Sequence, residues 1–137
     1  MRIGSRALMA CYQASVPWVS VITRRCYGVA GVGHGNADRL NLRYAWQSAD
    51  WGSLPIEGGV QAAYRRDIEA ADDPDARRRE LEGMLEKYRS PFRTAEAFGI
   101  EEIIDPRDTR ALLCDWVELA YELLPNQLGP KARTPRP

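Results

Sequence analysis

The apolar positions of this chain follow helical spacing first, then strand spacing, then helical spacing again. Ile3 to Ala14 predicts an amphipathic helix, and Pro17 lies just beyond its expected end. Val19 to Thr23 is β-branched or small throughout, which predicts a strand buried on both faces or nearly so, with a glycine-rich turn directly after it. Leu40 to Trp46 and Trp51 to Leu54 predict two further short strands.

The second half of the chain is predicted to be mostly helical. From Gly58 onward one apolar helical face contains Val60, Ala63, Tyr64, Ile68 and Ala71. Three later helices are expected where an N-cap side chain directly precedes proline, at Asp73-Pro74, Ser90-Pro91 and Asp105-Pro106. Gly99 to Ile104 predicts an edge strand. The pattern is therefore α/β, with residues 1–125 as one domain and residues 126–137 as a disordered proline-rich tail.

Composition narrows the function classes. Lys plus Arg and Asp plus Glu are both 19, so no basic excess points to nucleic acid or to an anionic membrane. No apolar run is long enough to span a bilayer and the N-terminus does not resemble a signal peptide, which predicts a cytoplasmic protein. Cys11, Cys26 and Cys114 are widely spaced without a CxxC pair, so we expect buried free thiols and no metal site.

Conventional catalytic motifs are absent: the sequence contains no P-loop, no HExxH and no GxSxG. His34, the one histidine, stands between two glycines and is predicted to be a loop or core residue rather than a general base. The stretch Tyr27 to Gly31, YGVAG, favours backbone chemistry instead. If a helical turn follows, the N–H groups of Val29 and Ala30 converge on one point, as an oxyanion site requires. A purely structural glycine turn is the alternative.

Several stretches are similar, in order, to blocks of one enzyme family. VPWVSVITRRCYGVAG, from Val16 to Gly31, resembles the family's VPKITVILRKAYGGAY, and Tyr44 to Asp50 resembles its YAWPTAE. Glu57 to Val60 falls where the family has KGAV or EGAA, Tyr88 to Glu96 resembles its F-NPY-AAE block, and Glu102 to Arg110 resembles DEVIDPRETR. The family is that of the biotin-dependent acyl-CoA carboxyltransferases, which includes the β subunits of propionyl-CoA carboxylases.

The resemblance implies a crotonase-like (ClpP/crotonase) α/β fold, a spiral of ββα units. It implies that residues 1–125 form only the C-terminal part of the carboxyltransferase C half, so the acyl-CoA pocket lies outside the chain. By position, the amides of Val29 and Ala30 would be the catalytic groups, which hold the ureido oxygen of biotin without a side-chain base. The implied substrate-binding residues are Tyr27, Gly28, Gly31 and Val32.

The implied function is transfer of a carboxyl group from carboxybiotin to an acyl-CoA, with propionyl-CoA as the default substrate. The implied cofactor is biotin, carried on a partner protein, and no metal is implied. The implied partners are a biotin carboxylase or biotin carrier subunit and an N-terminal carboxyltransferase half or full-length β subunit, within an oligomer. The alternative is a truncated, non-catalytic paralogue that docks on carboxylase subunits. A fragment of a crotonase-like hydratase is a third reading, although such an enzyme needs acidic residues in the half that binds CoA.

Overall fold

The computed structural model describes residues 2–33 and 40–129, so His34 and residues 130–137 of the predicted tail lie outside it. The helices and strands, in chain order, are α1 (Arg2–Gln13), β1 (Trp18–Ile22), β2 (Arg25–Tyr27), α2 (Val29–Gly33), β3 (Asn41–Trp46), β4 (Asp50–Gly52), α3 (Ile56–Ala63), α4 (Arg65–Glu69), α5 (Pro74–Glu86), α6 (Pro91–Glu96), β5 (Glu102–Ile104), a 3-10 turn (Pro106–Asp108) and α7 (Thr109–Gln127). Asn126 and Gln127, the first residues of the predicted tail, belong to α7.

The strands in residues 2–33 and 40–129 form two parallel sheets. One has three strands in the order β1-β3-β5, and the other pairs β2 with β4. Val21 lies beside Tyr44 and Ala45 beside Ile103, so β3 is the central strand of the larger sheet. The predicted edge strand is confirmed as β5, although it begins only at Glu102. Because each parallel pair needs a crossover connection, helices separate the later strands along the chain.

The first strand differs from its prediction in two ways. Only Ile22 is buried and the rest of β1 is half-buried, because β1 lies at the edge of its sheet with one neighbouring strand. The glycine-rich turn also does not follow it directly. The chain bends at Arg24 and forms β2, which joins the second sheet, before the turn begins. The β-branched run predicted a buried strand, but the position in the sheet decides how much of it is covered.

The helix predicted from Gly58 onward is divided into two. Gly58 has φ +78° inside α3, and Tyr64 (φ −109°, ψ 19°) separates α3 from α4. The predicted apolar face is therefore buried only at Val60 and Ile68, whereas Ala63 and Tyr64 are exposed. A single face cannot stay directed at one neighbour across such a break.

The three proline-marked helix starts are confirmed. Asp73 accepts a hydrogen bond from the Ala76 N–H (3.0 Å) at the start of α5, as expected of an N-cap. Asp105 accepts one from the Arg107 N–H (2.9 Å) at the 3-10 turn that leads into α7. Ser90 occupies the N-cap of α6 without a side-chain capping bond.

Among the described residues, two separate clusters form the core. Ile22, Cys26, Ala45, Ala49 and Ile100 pack around the sheets. Ile56, Val60, Ile68 and Leu81 pack where α3, α4 and α5 meet.

The expectation that all three cysteines are buried is wrong for two of them. Cys26 is a buried free thiol, but Cys11 is half-buried and Cys114 is exposed, since the face of α7 that carries Cys114 is uncovered. Within residues 2–33 and 40–129, no helix combines the length and the apolar character that a bilayer span requires.

Candidate functional site

The predicted site residues are consecutive and lie where β2 passes into α2. Tyr27 is the last residue of β2, Gly28 makes the turn, and α2 begins at Val29. The helical turn expected after the glycine is therefore present. The backbones of Ala30 and Val32 belong to α2, while their side chains lie outside the described part of the structure.

Gly28 is required by its backbone conformation. Its φ of +55° lies in the left-handed region, and a Cβ there would stand 3.2 Å from the Ser53 carbonyl oxygen. Its N–H donates to the Gly52 carbonyl (3.1 Å), which ties the turn to β4. At Gly31, by contrast, a Cβ would make only ordinary contact with Cys26 Sγ, 3.5 Å away. The turn therefore depends on glycine at position 28 and not at position 31.

The first two amides of α2 are the groups predicted to bind an oxyanion. Val29 and Ala30 begin the helix, so no carbonyl of α2 precedes them to accept their N–H groups. The Gly31 N–H instead donates to the Gly28 carbonyl (3.0 Å) and closes the turn. Val29 is 65% exposed, so the turn lies at the surface of the chain.

Tyr27 packs its ring against β4. A Cβ on Gly52 would stand 3.1 Å from Tyr27 Cε1, so glycine at position 52 allows the ring to lie against the neighbouring strand. The Tyr27 hydroxyl is buried and has no hydrogen-bond partner among the described residues, although it lies near the Asp50 carboxylate. Burial first, and then Asp50, raise the pKa of Tyr27 to about 12.

Asp50 and Arg89 form the strongest polar contact beside the turn. Arg89 Nε lies 2.8 Å from Asp50 Oδ1 and Arg89 Nη2 lies 2.7 Å from Asp50 Oδ2, a bidentate pair. The Asp50 side chain is 15% exposed and that of Arg89 is 27% exposed. The hydrogen bonds from Arg89 hold the pKa of Asp50 below its usual value. Neither residue was singled out from the sequence, because 39 positions separate them and no local pattern links them.

A groove and a polar cleft lie beside this region. A groove of about 480 Å³ follows β1 and ends at Cys26, one residue before Tyr27. A polar cleft of about 490 Å³ lies beside the Asp50–Arg89 pair, with Arg24 and Arg25 on its wall. No His, Cys, Asp and Glu side chains in the described ranges are grouped so that they would hold a metal ion.

Residues 1–133 match the family model described as the carboxyl transferase domain. The chain belongs to the carboxyl transferase family. Among its relatives, the carboxyltransferase subunit of Haloferax mediterranei propionyl-CoA carboxylase is 40% identical over 115 residues, which cover 80% of this chain and 22% of the relative. The methylmalonyl-CoA carboxyltransferase 12S subunit of Propionibacterium freudenreichii subsp. shermanii is 34% identical over 121 residues, which cover 87% of this chain and 23% of the relative.

Solved structures show the same fold. The transcarboxylase 12S structure, described as a hexamer, matches with a TM-score of 0.70 at 31% identity over 99% of this chain and 26% of its own. The β subunit of P. aeruginosa geranyl-CoA carboxylase matches with a TM-score of 0.78 at 16% identity, which shows the fold alone. The expected crotonase-like carboxyltransferase fold is confirmed. This carboxyl transferase chain spans about a quarter of the length of these relatives.

Proposed function

We propose that this chain forms the biotin-facing part of a biotin-dependent acyl-CoA carboxyltransferase, with propionyl-CoA as the acyl acceptor. Membership of the carboxyl transferase family supports the reaction class. The 40% identical relative is named for propionyl-CoA, which supports the acyl group. The structural observation that carries the proposal is the turn at Gly28, whose left-handed backbone leads directly into the first amides of α2.

The chemistry of the turn fits a ureido carbonyl. Such an oxygen accepts hydrogen bonds, and the turn offers the backbone donors of Val29 and Ala30 at a position where Val29 is exposed. The biotin group, carried on a partner protein, would supply the carboxyl group that is transferred. The two amides would donate to its oxygen as negative charge develops there, and one such preorganised donor is typically worth about 3 kcal/mol. In this arrangement no side-chain base is needed. This agrees with the sequence prediction that His34, the one histidine, is not a general base.

The neighbouring residues have supporting roles in the proposal. Tyr27 would fix the end of β2, and Gly28 would permit the turn. Gly31 and Val32, in the same helix, would lie along the substrate side.

The acyl-CoA pocket of this reaction would come from another polypeptide segment. The chain spans about a quarter of its relatives, so an N-terminal carboxyltransferase half or a full-length β subunit is the proposed partner, together with a biotin carrier and biotin carboxylase. Large side chains that stand in solvent fit such an assembly: Phe98 is 95% exposed, Ile3 84% and Tyr121 70%. We propose that a partner or a further copy covers part of this surface in an oligomer.

The test is carboxylation of biotin by methylmalonyl-CoA, the reverse reaction. It would be measured with the chain alone and with a separately expressed N-terminal carboxyltransferase half. We expect activity in the mixture only, a loss of more than tenfold with Gly28→Ala, and near-normal activity with Gly58→Ala. Both glycines have positive φ, at +55° and +78°, but a Cβ at Gly58 meets nothing within 4 Å, so Gly58→Ala controls for backbone strain.

Two results would count against the proposal. If the two halves co-elute and stay inactive, the chain is the non-catalytic docking paralogue. If the mixture is active and Gly28→Ala is as active as Gly58→Ala, the turn does not carry the reaction. Comparison of kcat/KM for propionyl-CoA with that for acetyl-CoA and butyryl-CoA in the forward direction tests the acyl group.

A further inference from the structure

Arg89, in the connection between α5 and α6, binds two consecutive residues of β4. Its guanidinium donates to both carboxylate oxygens of Asp50, and its carbonyl oxygen accepts the Trp51 N–H at 3.1 Å. Glu57 and Glu86 each stand 3.3 Å from Arg89 Nη1 and hold the guanidinium in this orientation. A single residue thus holds β4 from the side opposite β2.

β4 in turn sets the position of the turn at Gly28. The two strands pair in the register Arg25 with Asp50, Cys26 with Trp51 and Tyr27 with Gly52. The Gly28 N–H then donates to the Gly52 carbonyl at 3.1 Å. A sheet of two strands with three residues each is marginal by itself, so its geometry depends on what holds its outer strand.

We propose that Arg89 is a positioning residue for the turn that carries the Val29 and Ala30 amides, and that it acts through Asp50 and β4. The catalytic meaning of this inference rests on the function proposed above. The positioning itself is a property of the chain alone.

The fork geometry of arginine is essential to this role. The pair is partly buried, and its two parallel bonds fix both the position and the angle of Asp50. Lysine would keep the charge but supplies a single ammonium in place of the planar fork. Loss of Arg89 would leave the Asp50 carboxylate beside the buried Tyr27 hydroxyl without its bidentate partner, with Arg25 acting on it only through its charge.

The decisive experiment is amide hydrogen exchange on the 137-residue chain, followed by NMR. Arg89→Gln should speed the exchange of the Gly28 amide at least tenfold and shift the amide resonances of Val29 and Ala30. Exchange at Ala45, in the central strand β3, should stay unchanged. Arg77→Gln is the matched control, because Arg77 is also paired with two carboxylates, Asp67 and Glu80, but lies on α5 away from β4.

Two further variants separate positioning from general loss of structure. Arg89→Lys should give the same local change at smaller size, with Ala45 protection kept. Asp50→Asn should mimic Arg89→Gln, and the double variant should be no worse than either single one. Unchanged Gly28 exchange in Arg89→Gln, or the same increase in Arg77→Gln, would overturn the inference.

The activity assay then tests the link to catalysis. In an active mixture, Arg89→Gln should lower kcat while the KM for the acyl-CoA stays within about twofold, because the acyl-CoA pocket is on the partner. If the wild-type mixture is inactive, the proposed function fails, but the exchange data still decide whether Arg89 positions the turn.

Discussion

Trp46 donates its Nε1–H to Thr109 Oγ1 at 2.9 Å, which joins the end of β3 to the start of α7 across 63 positions. The two residues belong to separate stretches that resemble the family, YAWQSAD and EIIDPRDTR. The contact shows why these stretches belong together: one ends the central strand, the other begins α7, and the hydrogen bond joins them.

Thr109→Val should lower the free energy of unfolding by about 1 kcal/mol. The substitution keeps the side-chain shape but removes the acceptor, so the part-buried Trp46 N–H loses its partner. Thr109→Ser, which retains the hydroxyl, should restore most of the loss. Urea unfolding followed by tryptophan fluorescence measures both, and an equal loss in the two variants would contradict the role of the hydrogen bond.

Phe98→Gly should stabilise the chain by about 1 kcal/mol. Phe98 has φ +54° and stands just after α6, where its N–H donates to the Ala95 carbonyl and the Gly99 N–H donates to the Thr94 carbonyl, both at 2.9 Å. This is a Schellman helix end, in which glycine avoids the 1–2 kcal/mol cost of a left-handed residue. Since Phe98 is 95% exposed, little packing is lost.

The control for this change is Phe98→Ala, which removes the ring but keeps a Cβ in the strained conformation. It should leave the melting temperature nearly unchanged, while Phe98→Gly raises it. A lower melting temperature with glycine would show that the exposed ring packs against something in solution.

Asp73→Ala should cost about 1 kcal/mol of stability and Ser90→Ala less than about 0.5 kcal/mol. Both residues are N-caps followed by proline, but only Asp73 accepts a capping hydrogen bond, from Ala76. Thermal unfolding by circular dichroism compares the two directly. Equal losses would show that the N-cap position, rather than the bond, stabilises these helices.

Tyr27 should make the stability fall with pH in alkaline solution. Its pKa rises from 10.0 to about 12 on folding, so the neutral phenol is favoured in the folded state. This contribution is fully present below pH 10 and is lost as the pH rises toward 12, because the unfolded chain releases the proton first. Tyr27→Phe should therefore show a smaller fall between pH 10 and 12, measured by urea unfolding at each pH. An unchanged slope would contradict the raised pKa.

Local sequence patterns predicted most helices and strands of the fold. Proline after Asp73, Ser90 and Asp105 marked three starts because capping involves only neighbouring residues. The turn and short helix after Tyr27 were also expected, since glycine conformation is a local property. The extent of burial of β1 was not predicted, because a β-branched run has the same sequence pattern at the centre and at the edge of a sheet.

For the candidate site too, the sequence predicted some features and only the structure revealed the others. The sequence by itself determined the helix starts and the consecutive stretch from Tyr27 to Val32, because each depends on residues close together in the chain. It also determined the family, because several similar blocks follow one another in the same order. Only the tertiary structure decided that β2 joins a different sheet from β1, that Asp50 and Arg89 meet across 39 positions, and that Gly52 supports the Tyr27 ring. The physical reason is that side-chain pairing and strand neighbours are set by how the chain folds back on itself, which no local spacing records.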